Sequence, residues 1–424
     1  MAINYPDTIK KYFSILERWG ITIPRYSVEK EIYNKTIIYS EWYRSDFLFY
    51  FGYYRKDYED LLIPVANLLA VRGRKVSFVY KDVKQANHKS LNQAIDKFYF
   101  DDISNKYKIL SKSKIDFLNN YQPHLNKLYS NLKFNMSMKK RVNNFYLNLA
   151  KDKHLMLHLL QLTRPKAIIG IHNILTPGYV EAVNKFNKVG IPIINTLMQH
   201  GVFGFEKKHD FFGADYVFLW GKFHQDILKT LPGQLPSIIT GNPKVEQKLN
   251  FYKIQPLQNN PVRIVYLFST SKKKLDLFLQ AKKYLKNVTV KFKLHPGISI
   301  EALKSYIIQG SISSNDIYHQ NDIYTVIQDS DIVTGDLSTS QFEAAALGKL
   351  VIQIKSDGDH PAFLKFLTVS SAEEFISTCN NISQLGNKKE YLKKQEYIVK
   401  EIFHDIHGST QRTADSLEKL VTTE

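Results

Sequence analysis

Short apolar runs of strand length alternate with helically spaced segments along most of this chain, most clearly in residues 288–355. The pattern there predicts four strands, near 288–294, 316–319, 331–334 and 350–355, and three helices, near 300–309, 323–328 and 341–347. Strands that alternate with helices build a parallel sheet covered on both faces. Ligands of such sheets bind beyond the carboxyl ends of the strands, so polar residues that follow these strands are candidates for a site.

The first half of the chain shows the same alternation. Strand patterns fall near 36–40, 47–53, 75–80, 167–171, 192–197, 216–220 and 237–240, and helical patterns near 58–71, 177–188 and 223–230. Residues from about 84 to 165 have a helical, basic and aromatic pattern without strands. They form either a helical insertion with a solvated face or a surface that meets an acceptor or a membrane.

The length of 424 residues is too great for a single core. Polar residues and prolines at 245–261 indicate a linker, and the strand pattern at 262–268 opens a second αβ region. We predict an α/β protein with two Rossmann-like domains that face each other across a cleft. These are residues 1–244, with the helical insertion at about 84–165, and residues 262–385. Helical patterns near 372–382, 388–403 and 410–421 end the chain, and residues 386–424 are predicted to pack back on the first domain.

Charge narrows the class of partner. The chain carries 58 Lys and Arg against 40 Asp and Glu, a net charge of +18, which favours nucleotides, phosphorylated glycolipids, anionic membranes or nucleic acid. The single cysteine, Cys379, excludes a disulfide framework. No signal-peptide core opens the sequence, and no apolar run reaches the roughly 18 residues that span a bilayer. We therefore expect a cytoplasmic protein whose contact with a membrane is at most peripheral.

Two polar clusters follow strands of the second αβ region. His295-Pro296 comes after the strand at 288–294, which also carries Lys293, and a protonated His there could bind a phosphate. The loop 335–340 runs into the helix at 341–347, where hydroxyls and backbone N–H groups can bind phosphate oxygens, and Glu343 could hold ribose hydroxyls or complement the helix dipole. The alternatives are a structural turn at His295 and an ordinary helix cap at Ser338 or Thr339.

A third cluster, Gln199-His200-Gly201, follows a strand of the first αβ region. His200 is the candidate general base for an acceptor hydroxyl, with a structural His as the alternative. The pairs Asp329/Asp331 and Asp357/Asp359 have the spacing of metal ligands but are weaker candidates, and we predict no metal site. Histidines without ligand spacing are expected at the surface: His209, His224, His319 and His360.

The order of these motifs resembles that of GT-B enzymes of bacterial surface polymers, in particular CDP-glycerol glycerophosphotransferases and capsule transferases that use CMP-activated sialic acid or Kdo. The similar segments lie between about 195 and 355: Gln199-His200-Gly201, 214–221, 240–244 (Thr-Gly-Asn-Pro-Lys), 293–296 (Lys-Leu-His-Pro), 330–339 and Glu343. The resemblance implies that His200 is a catalytic base and that His295, Ser338, Thr339 and Ser340 bind the donor phosphate. Val202-Phe203 stand where the glycerophosphotransferases have Thr-Pro, which favours a sugar donor over glycerol phosphate.

The resulting prediction is a metal-independent glycosyltransferase with a nucleotide-sugar donor, CMP-sugar favoured, and a polysaccharide or glycolipid acceptor. We expect no cofactor besides the donor substrate, no nucleic-acid partner, and peripheral contact with an anionic membrane at most. The predicted donor-binding set is Lys293, His295, Pro296, Gly335, Ser338, Thr339, Ser340, Glu343, Asn242 and Lys244. Two alternatives remain: a nucleotide-sugar epimerase or hydrolase, because residues 341–351 also resemble UDP-GlcNAc 2-epimerases, and a non-catalytic scaffold of the same fold.

Overall fold

The computed structural model describes residues 44–50, 56–80, 90–131, 134–171, 177–203, 213–230, 235–251, 261–318, 322–382 and 385–422. The strands within them are β1 (Ser45–Phe49), β2 (Val76–Tyr80), β3 (Asp96–Tyr99), β4 (Pro165–Ile171), β5 (Ile194–Met198), β6 (Tyr216–Leu219), β7 (Ser237–Ile239), β8 (Val262–Phe268), β9 (Val288–Leu294), β10 (Ile317–Tyr318), β11 (Ile332–Gly335), β12 (Leu350–Ile354) and β13 (Leu367–Val369).

Helices connect these strands. The first eight are α1 (Lys56–Val71), α2 (Phe100–Lys106), α3 (Ile109–Asp116), α4 (Gln122–Asn131), α5 (Met136–Thr163), α6 (Pro177–Lys188), α7 (Lys222–Lys229) and α8 (Pro243–Phe251). The others are α9 (Lys272–Lys282), α10 (Lys304–Ile308), α11 (Ile323–Gln328), α12 (Thr339–Ala346), α13 (Ala372–Ile382), α14 (Leu385–Phe403) and α15 (Ser409–Thr422). A single π-helical turn, Phe117–Tyr121, joins α3 to α4.

The strands form two sheets. One has the order β3-β2-β1-β4-β5-β6-β7 and the other β10-β9-β8-β11-β12-β13. Within each sheet, the described pairings of neighbouring strands are parallel. In each sheet the strand order is that of a Rossmann fold. The first strand lies at the centre, the next two are added on one side of it, and the remaining strands are added on its other side, so the order of addition reverses beside the first strand. In the second sheet this reversal lies between β8 and β11. Ligands of Rossmann folds bind beyond the carboxyl ends of the strands at that position.

The second sheet is buried on both faces. Along β8, Ile264 and Tyr266 belong to one apolar cluster, and Val265 and Leu267 to another. This alternation follows from the two-residue period of a strand, and it explains why the strands of this region appear in the sequence as continuous apolar runs. By its contacts the chain divides into two compact units, residues 1–55 with 69–195, and residues 56–68 with 196–424.

The structure contains four elements that the sequence pattern did not predict, β3, α8, α9 and β13. β3 lies within the segment predicted to lack strands; two of its four residues are exposed, so it has little apolar pattern. α8 occupies the start of the predicted linker, because Pro243 and the Asn242 side chain, which accepts from the backbone N–H of Lys244 at 3.0 Å, begin a helix there. α9 and β13 were not predicted. The predicted strand at 36–40 lies outside the described residues.

His224 was predicted at the surface, but its side chain is fully buried. It lies in the first turn of α7, where its ring contacts those of Phe203, Trp220 and Phe223. His209 and His319 lie outside the described residues. Within the part of the chain that the structure describes, no helix has the length and apolar character to span a membrane.

Candidate functional site

His200 is presented by a turn that Gln199 holds in place. Gln199 follows β5 and is fully buried. Its side-chain carbonyl accepts from the backbone N–H of Trp220 at 2.9 Å, and its amide donates to the carbonyl of Gly201 at 2.9 Å. The two bonds tie the end of β5 to the end of β6 and close the turn around His200. A buried amide with both ends bonded fixes a backbone conformation, so the position of His200 is determined by the sheet edge.

Asp57 pairs with His200. The Asp57 Oδ2 and His200 Nε2 atoms are 2.6 Å apart, and the side chains are 26% and 19% exposed. The Tyr58 ring lies nearly perpendicular to the imidazole, with centroids 4.4 Å apart. Both Asp57 and Tyr58 come from the first turn of α1. A carboxylate on one ring nitrogen orients an imidazole and stabilises its protonated form, so this pair can accept a proton. Asp57 was not among the predicted site residues.

The N-terminus of α12 adjoins the His200 turn. Ser338 caps the helix, and its Oγ accepts from the backbone N–H of Ser340 at 3.3 Å. Thr339 Oγ1 accepts from the N–H of Val202 at 3.4 Å, and a Cβ added to Gly201 would lie 3.5 Å from the same oxygen. The structure therefore brings together two predicted clusters that are separated by almost 140 residues, the proposed base and the proposed phosphate-binding helix end.

Lys244 and Glu343 bind each other. The Lys244 Nζ and Glu343 Oε1 atoms are 2.8 Å apart, and the side chains are 15% and 3% exposed. Burial alone would lower the pKa of Lys244, but the negative charges of Glu343, Asp57 and Asp60 raise it. Both residues were predicted to contact the donor. Their mutual ion pair shows that each also neutralises the other at the start of α8 and in α12.

Tyr324 extends this charged network. Lys244 and Lys248, one turn apart on α8, place their Nζ atoms 5.4 and 5.1 Å from the centre of its ring, and Lys248 pairs with Asp60 at 3.5 Å. Burial, together with the charges of Glu343 and Asp60, raises the pKa of the Tyr324 hydroxyl well above its usual value. Tyr324 is consequently a neutral phenol that two cations flank.

Asp336 closes the turn that follows β8. Its Oδ2 accepts from the backbone N–H groups of Ser269, Thr270 and Ser271 at 2.7–2.9 Å, and the Tyr266 hydroxyl donates to its Oδ1 at 3.2 Å. Asp336 is 3% exposed. The N–H groups that a strand-to-helix turn can offer to a phosphate are thus occupied by a carboxylate of the protein.

Gly335 has a backbone role. Its φ is +126°, and a Cβ at this position would come within 2.6 Å of the backbone nitrogen of Leu267 on the neighbouring strand β8. Glycine is required here because the two strands approach each other closely at the point where Asp336 leaves the sheet.

His295 follows β9 at the same carboxyl edge of the sheet. His295 and Pro296 are exposed, and the His295 Nδ1 accepts from the N–H of Gly297 at 3.1 Å. β9 and β11 both pair with β8, which puts their ends about 10 Å apart. The Lys293 side chain is 6% exposed and donates to the carbonyl of Leu294 at 3.0 Å. Burial lowers its pKa.

A cavity of about 540 Å³ lies beside the turn after β8. Its walls come from Phe268, Ser269 and Thr270 on one side, and from Ile298 and the start of α10 on the other. Its volume is in the range of small-ligand pockets, and apolar and hydroxyl-bearing side chains line it together with Lys272, Glu301 and Lys304. The sequence pattern gave no signal for it, because Ile298 and the residues of α10 appear as an ordinary amphipathic helix start.

One member of each predicted acidic pair forms an ion pair with a basic side chain. Asp331 accepts from the Arg263 guanidinium at 3.0 and 3.1 Å, and Asp359 pairs with the buried Lys274 at 2.8 Å. Ion pairing with Lys274 and hydrogen bonds from Ser356 outweigh burial and lower the pKa of Asp359. Among the residues that the structure describes, no group of three or more His, Cys, Asp or Glu could hold a metal ion.

Comparisons with known proteins concern the fold. No family model matches the sequence, and no curated protein does. Solved structures do match. A Listeria monocytogenes protein assigned as a UDP-N-acetylglucosamine 2-epimerase has a TM-score of 0.57 at 10% identity, covering 90% of this chain and 98% of that one. A Rickettsia africae glycosyltransferase has a TM-score of 0.53 at 15% identity, covering 90% and 100%.

A third similar structure is the Neisseria meningitidis UDP-GlcNAc 2-epimerase bound to UDP-GlcNAc, with a TM-score of 0.51 at 15% identity, covering 88% of this chain and 100% of that one. At such identities the likeness shows the fold. The prediction of an α/β chain with two Rossmann-like domains of the GT-B class is confirmed, whereas activity has to be argued from the site.

Proposed function

We propose that this chain is a metal-independent glycosyltransferase, which moves a sugar from a nucleotide-activated donor to a hydroxyl of a polysaccharide or glycolipid acceptor. The observation that carries the proposal is the pair of Asp57 and His200, 2.6 Å apart, beside the helix end that Ser338 and Thr339 form. A general base next to an anion-binding helix N-terminus is what transfer from a sugar phosphate requires.

The chemical step involves one proton and one leaving group. His200 takes the proton of the acceptor hydroxyl while the acceptor oxygen bonds to the sugar carbon and the bond from that carbon to the phosphate oxygen breaks. Asp57 stabilises the imidazolium that results. The departing phosphate carries the negative charge, which the positive end of the α12 dipole, the hydroxyls of Ser338 and Thr339 and a protonated His295 stabilise.

The donor nucleotide is proposed to lie along the carboxyl edge of the second sheet. Because Asp336 occupies the N–H groups of the turn after β8, the start of α12 is the anion-binding helix end beside the reversal point of this sheet. The cavity beside Phe268 and Ile298 can accommodate the nucleoside. CMP is the favoured nucleotide on the motif resemblance, in which His-Pro and Ser/Thr motifs bind a donor phosphate.

A nucleotide-sugar epimerase is the second candidate. It is favoured by the likeness over nearly the whole chain to solved structures of UDP-GlcNAc 2-epimerases, and by the resemblance of residues 341–351. The two functions differ in what they consume. An epimerase converts a sugar nucleotide without an acceptor, whereas a transferase releases the nucleotide and forms a glycosidic bond only when an acceptor is present.

The first experiment is a thermal-shift screen against CMP, CDP, UDP and GDP. A nucleotide at 100 times its Kd stabilises the folded protein by about 2.7 kcal/mol, so the true nucleotide should raise the Tm. The sugar nucleotides of the positive base are then incubated with and without glycolipid extracts, and products are separated by mass. Acceptor-dependent release of the nucleotide supports the transferase; isomerisation of the sugar nucleotide alone supports the epimerase; a protein that binds no nucleotide contradicts both.

A further inference from the structure

One segment of the helical region is free of carboxylates. Residues 117–151 contain no Asp or Glu, although they include eight Asn, five Lys and one Arg. The segment covers the π-helical turn, α4 and the first half of α5. Charged segments of a folded surface usually mix both signs, because like charges repel one another. A basic, amide-rich stretch of this length therefore indicates a surface that meets negatively charged or acceptor-rich groups.

A cavity of about 690 Å³ lies between α4 and the start of α5 within this segment. Its lining includes Gln122, Asn126, Tyr129, Lys139, Lys140 and Asn143. The volume is in the range of ligand-binding pockets. We refer to it as the α4/α5 groove. Carboxamides outnumber every other type of side chain in its walls, and none of its lining residues is acidic.

Hydrogen bonds inside the groove fix which atoms face a ligand. The Tyr129 hydroxyl donates to Asn143 Oδ1 at 2.8 Å, and Gln122 Nε2 donates to Asn126 Oδ1 at 2.8 Å. The carbonyl oxygens of Asn126 and Asn143 are therefore occupied, and the –NH₂ groups of both amides remain as donors. With the ammonium groups of Lys139 and Lys140, the groove presents donors and positive charge.

We propose that the α4/α5 groove binds a saccharide chain that carries carboxylate groups. Sugar hydroxyls and ring oxygens match the amides and Tyr129, and the carboxylates match Lys139 and Lys140. The Tyr129 ring already contacts Phe134, with centroids 5.5 Å apart, and Lys139 Nζ lies 5.5 Å from its centre, so these neighbours compete with any nucleobase that stacks on it. That this saccharide is the acceptor of the reaction rests on the proposed function. That the groove binds such a saccharide is argued from the groove residues alone.

The test is calorimetric titration of the whole protein with tetragalacturonate, with maltotetraose as the uncharged chain of equal length and dT₄ as the nucleic-acid rival. We expect tetragalacturonate to bind at least about tenfold more tightly than either. The double variant Lys139→Gln/Lys140→Gln and the single variant Asn143→Ala should each weaken it about tenfold. The matched control is Lys393→Gln/Lys394→Gln, an adjacent exposed pair on α14, which removes the same charge and should change the Kd less than about twofold.

Three results would overturn the proposal: no binding of tetragalacturonate, an equal loss in the α14 control, or tighter binding of dT₄. Equal loss in the control would mean that net charge alone attracts the ligand. Because no donor is present in the titration, the outcome is independent of the transferase reaction. The nucleotide thermal shift of the groove variants then separates the two proposals, since these variants should respond to nucleotide like the wild type.

Discussion

Asp57 and His200 are 143 residues apart in the chain, yet the Asp57 Oδ2 and His200 Nε2 atoms lie 2.6 Å from each other. If His200 is the base that acts on the acceptor, His200→Ala should lower turnover by about 10²- to 10⁴-fold while nucleotide affinity stays nearly unchanged. Asp57→Asn should lower kcat by a similar factor, because an amide cannot stabilise the imidazolium. The measurement is a pH–rate profile with nucleotide titration of each variant.

The control for Asp57 is Asp60→Asn on the same helix. Asp60 pairs with Lys248 instead of His200, so it should keep most of the turnover. If His200→Ala kept near-normal turnover, or bound nucleotide as weakly as the variant His295→Ala, His200 would not be the base.

Donor binding should depend on His295, Ser338 and Thr339. His295→Ala and the double variant Ser338→Ala/Thr339→Ala are expected to weaken nucleotide binding by about 1.5–3 kcal/mol for each lost hydrogen bond to the phosphate. Titration calorimetry with the nucleotide measures the loss of affinity in each variant. Ser371→Ala is the control, because Ser371 also accepts from a backbone N–H at the start of a helix, that of Glu374 at 3.2 Å. Unchanged nucleotide affinity in the folded double variant would remove α12 from the donor site.

Removing one partner of the Lys244–Glu343 ion pair should destabilise the fold strongly, whereas replacing both partners by apolar residues should change its stability little. Glu343→Gln leaves a largely buried ammonium without its partner and should lower the free energy of unfolding by about 3 kcal/mol. The double variant Lys244→Met/Glu343→Leu should lie within about 1 kcal/mol of the wild type. Urea unfolding measures both. If the destabilisation of the double variant equals the sum for the single variants Lys244→Met and Glu343→Leu, the two side chains act independently.

His224 should make stability depend on pH. Burial first, and the charge of His360 second, lower the pKa of His224 from 6.5 to about 3. Between these pH values the unfolded chain binds a proton that the folded chain does not, so stability falls as the pH falls through this window. Its contribution at pH 5 relative to pH 7 is about 2 kcal/mol. His224→Leu should flatten that part of the dependence.

The pH comparison uses urea midpoints at pH 7 and pH 5, so a constant effect of the substitution cancels. His407→Gln, which replaces an exposed histidine, should leave the slope as it is. An unaltered slope in His224→Leu would mean that the buried imidazole takes up its proton in the folded state.

Contact with an anionic membrane is expected at the outer face of α3 and the π-helical turn. Leu110, Ile115 and Leu118 are 52%, 59% and 58% exposed there, beside Lys112 and Lys114. Cosedimentation with vesicles that contain anionic lipid should fall steeply as salt rises, because charges are screened over about 8 Å at 0.15 M. Leu110→Ser/Leu118→Ser should weaken it. Equal binding to neutral vesicles, or none to anionic ones, would contradict the expectation.

The sequence predicted the strand-to-helix turns of the site well, because a parallel sheet places every such turn at one edge. His200, Thr339 and His295 lie at such turns as predicted, and their roles in the site stay predictions. Asp57 was not, since an acid in the first turn of an amphipathic helix has many ordinary explanations, and no periodicity relates α1 to the end of β5. The same holds for Lys244 and Glu343: each was a candidate, but their pairing depends on tertiary contact.

The errors in the predicted elements have a related cause. β3 has exposed positions and pairs with β2 alone at a sheet edge, so it lacks the apolar run by which β8 and β9 are identified. His224 was placed at the surface because histidine is usually found there. Three aromatic rings bury it. Trp220 and Phe223 are close to His224 in sequence, whereas Phe203 lies about 20 residues earlier, just after the His200 turn.

Asp336 gives the protein a resident anion. A turn after the first strand of a Rossmann fold commonly waits empty for the charge of a ligand; in this chain a carboxylate from a neighbouring strand, 65 to 67 residues further along, fills that place permanently. The occupant cannot be exchanged for a donor. The backbone N–H groups of residues 269–271 are thus committed to the fold. Evolutionary or engineered change of donor preference would have to act through residues 338–340 and the side chains that line the cavity beside Ile298, which include those of Ser269 and Thr270. If a glycine-rich nucleotide-binding loop replaced residues 269–271, its backbone N–H groups would bind Asp336, and a nucleotide phosphate would have to displace that carboxylate.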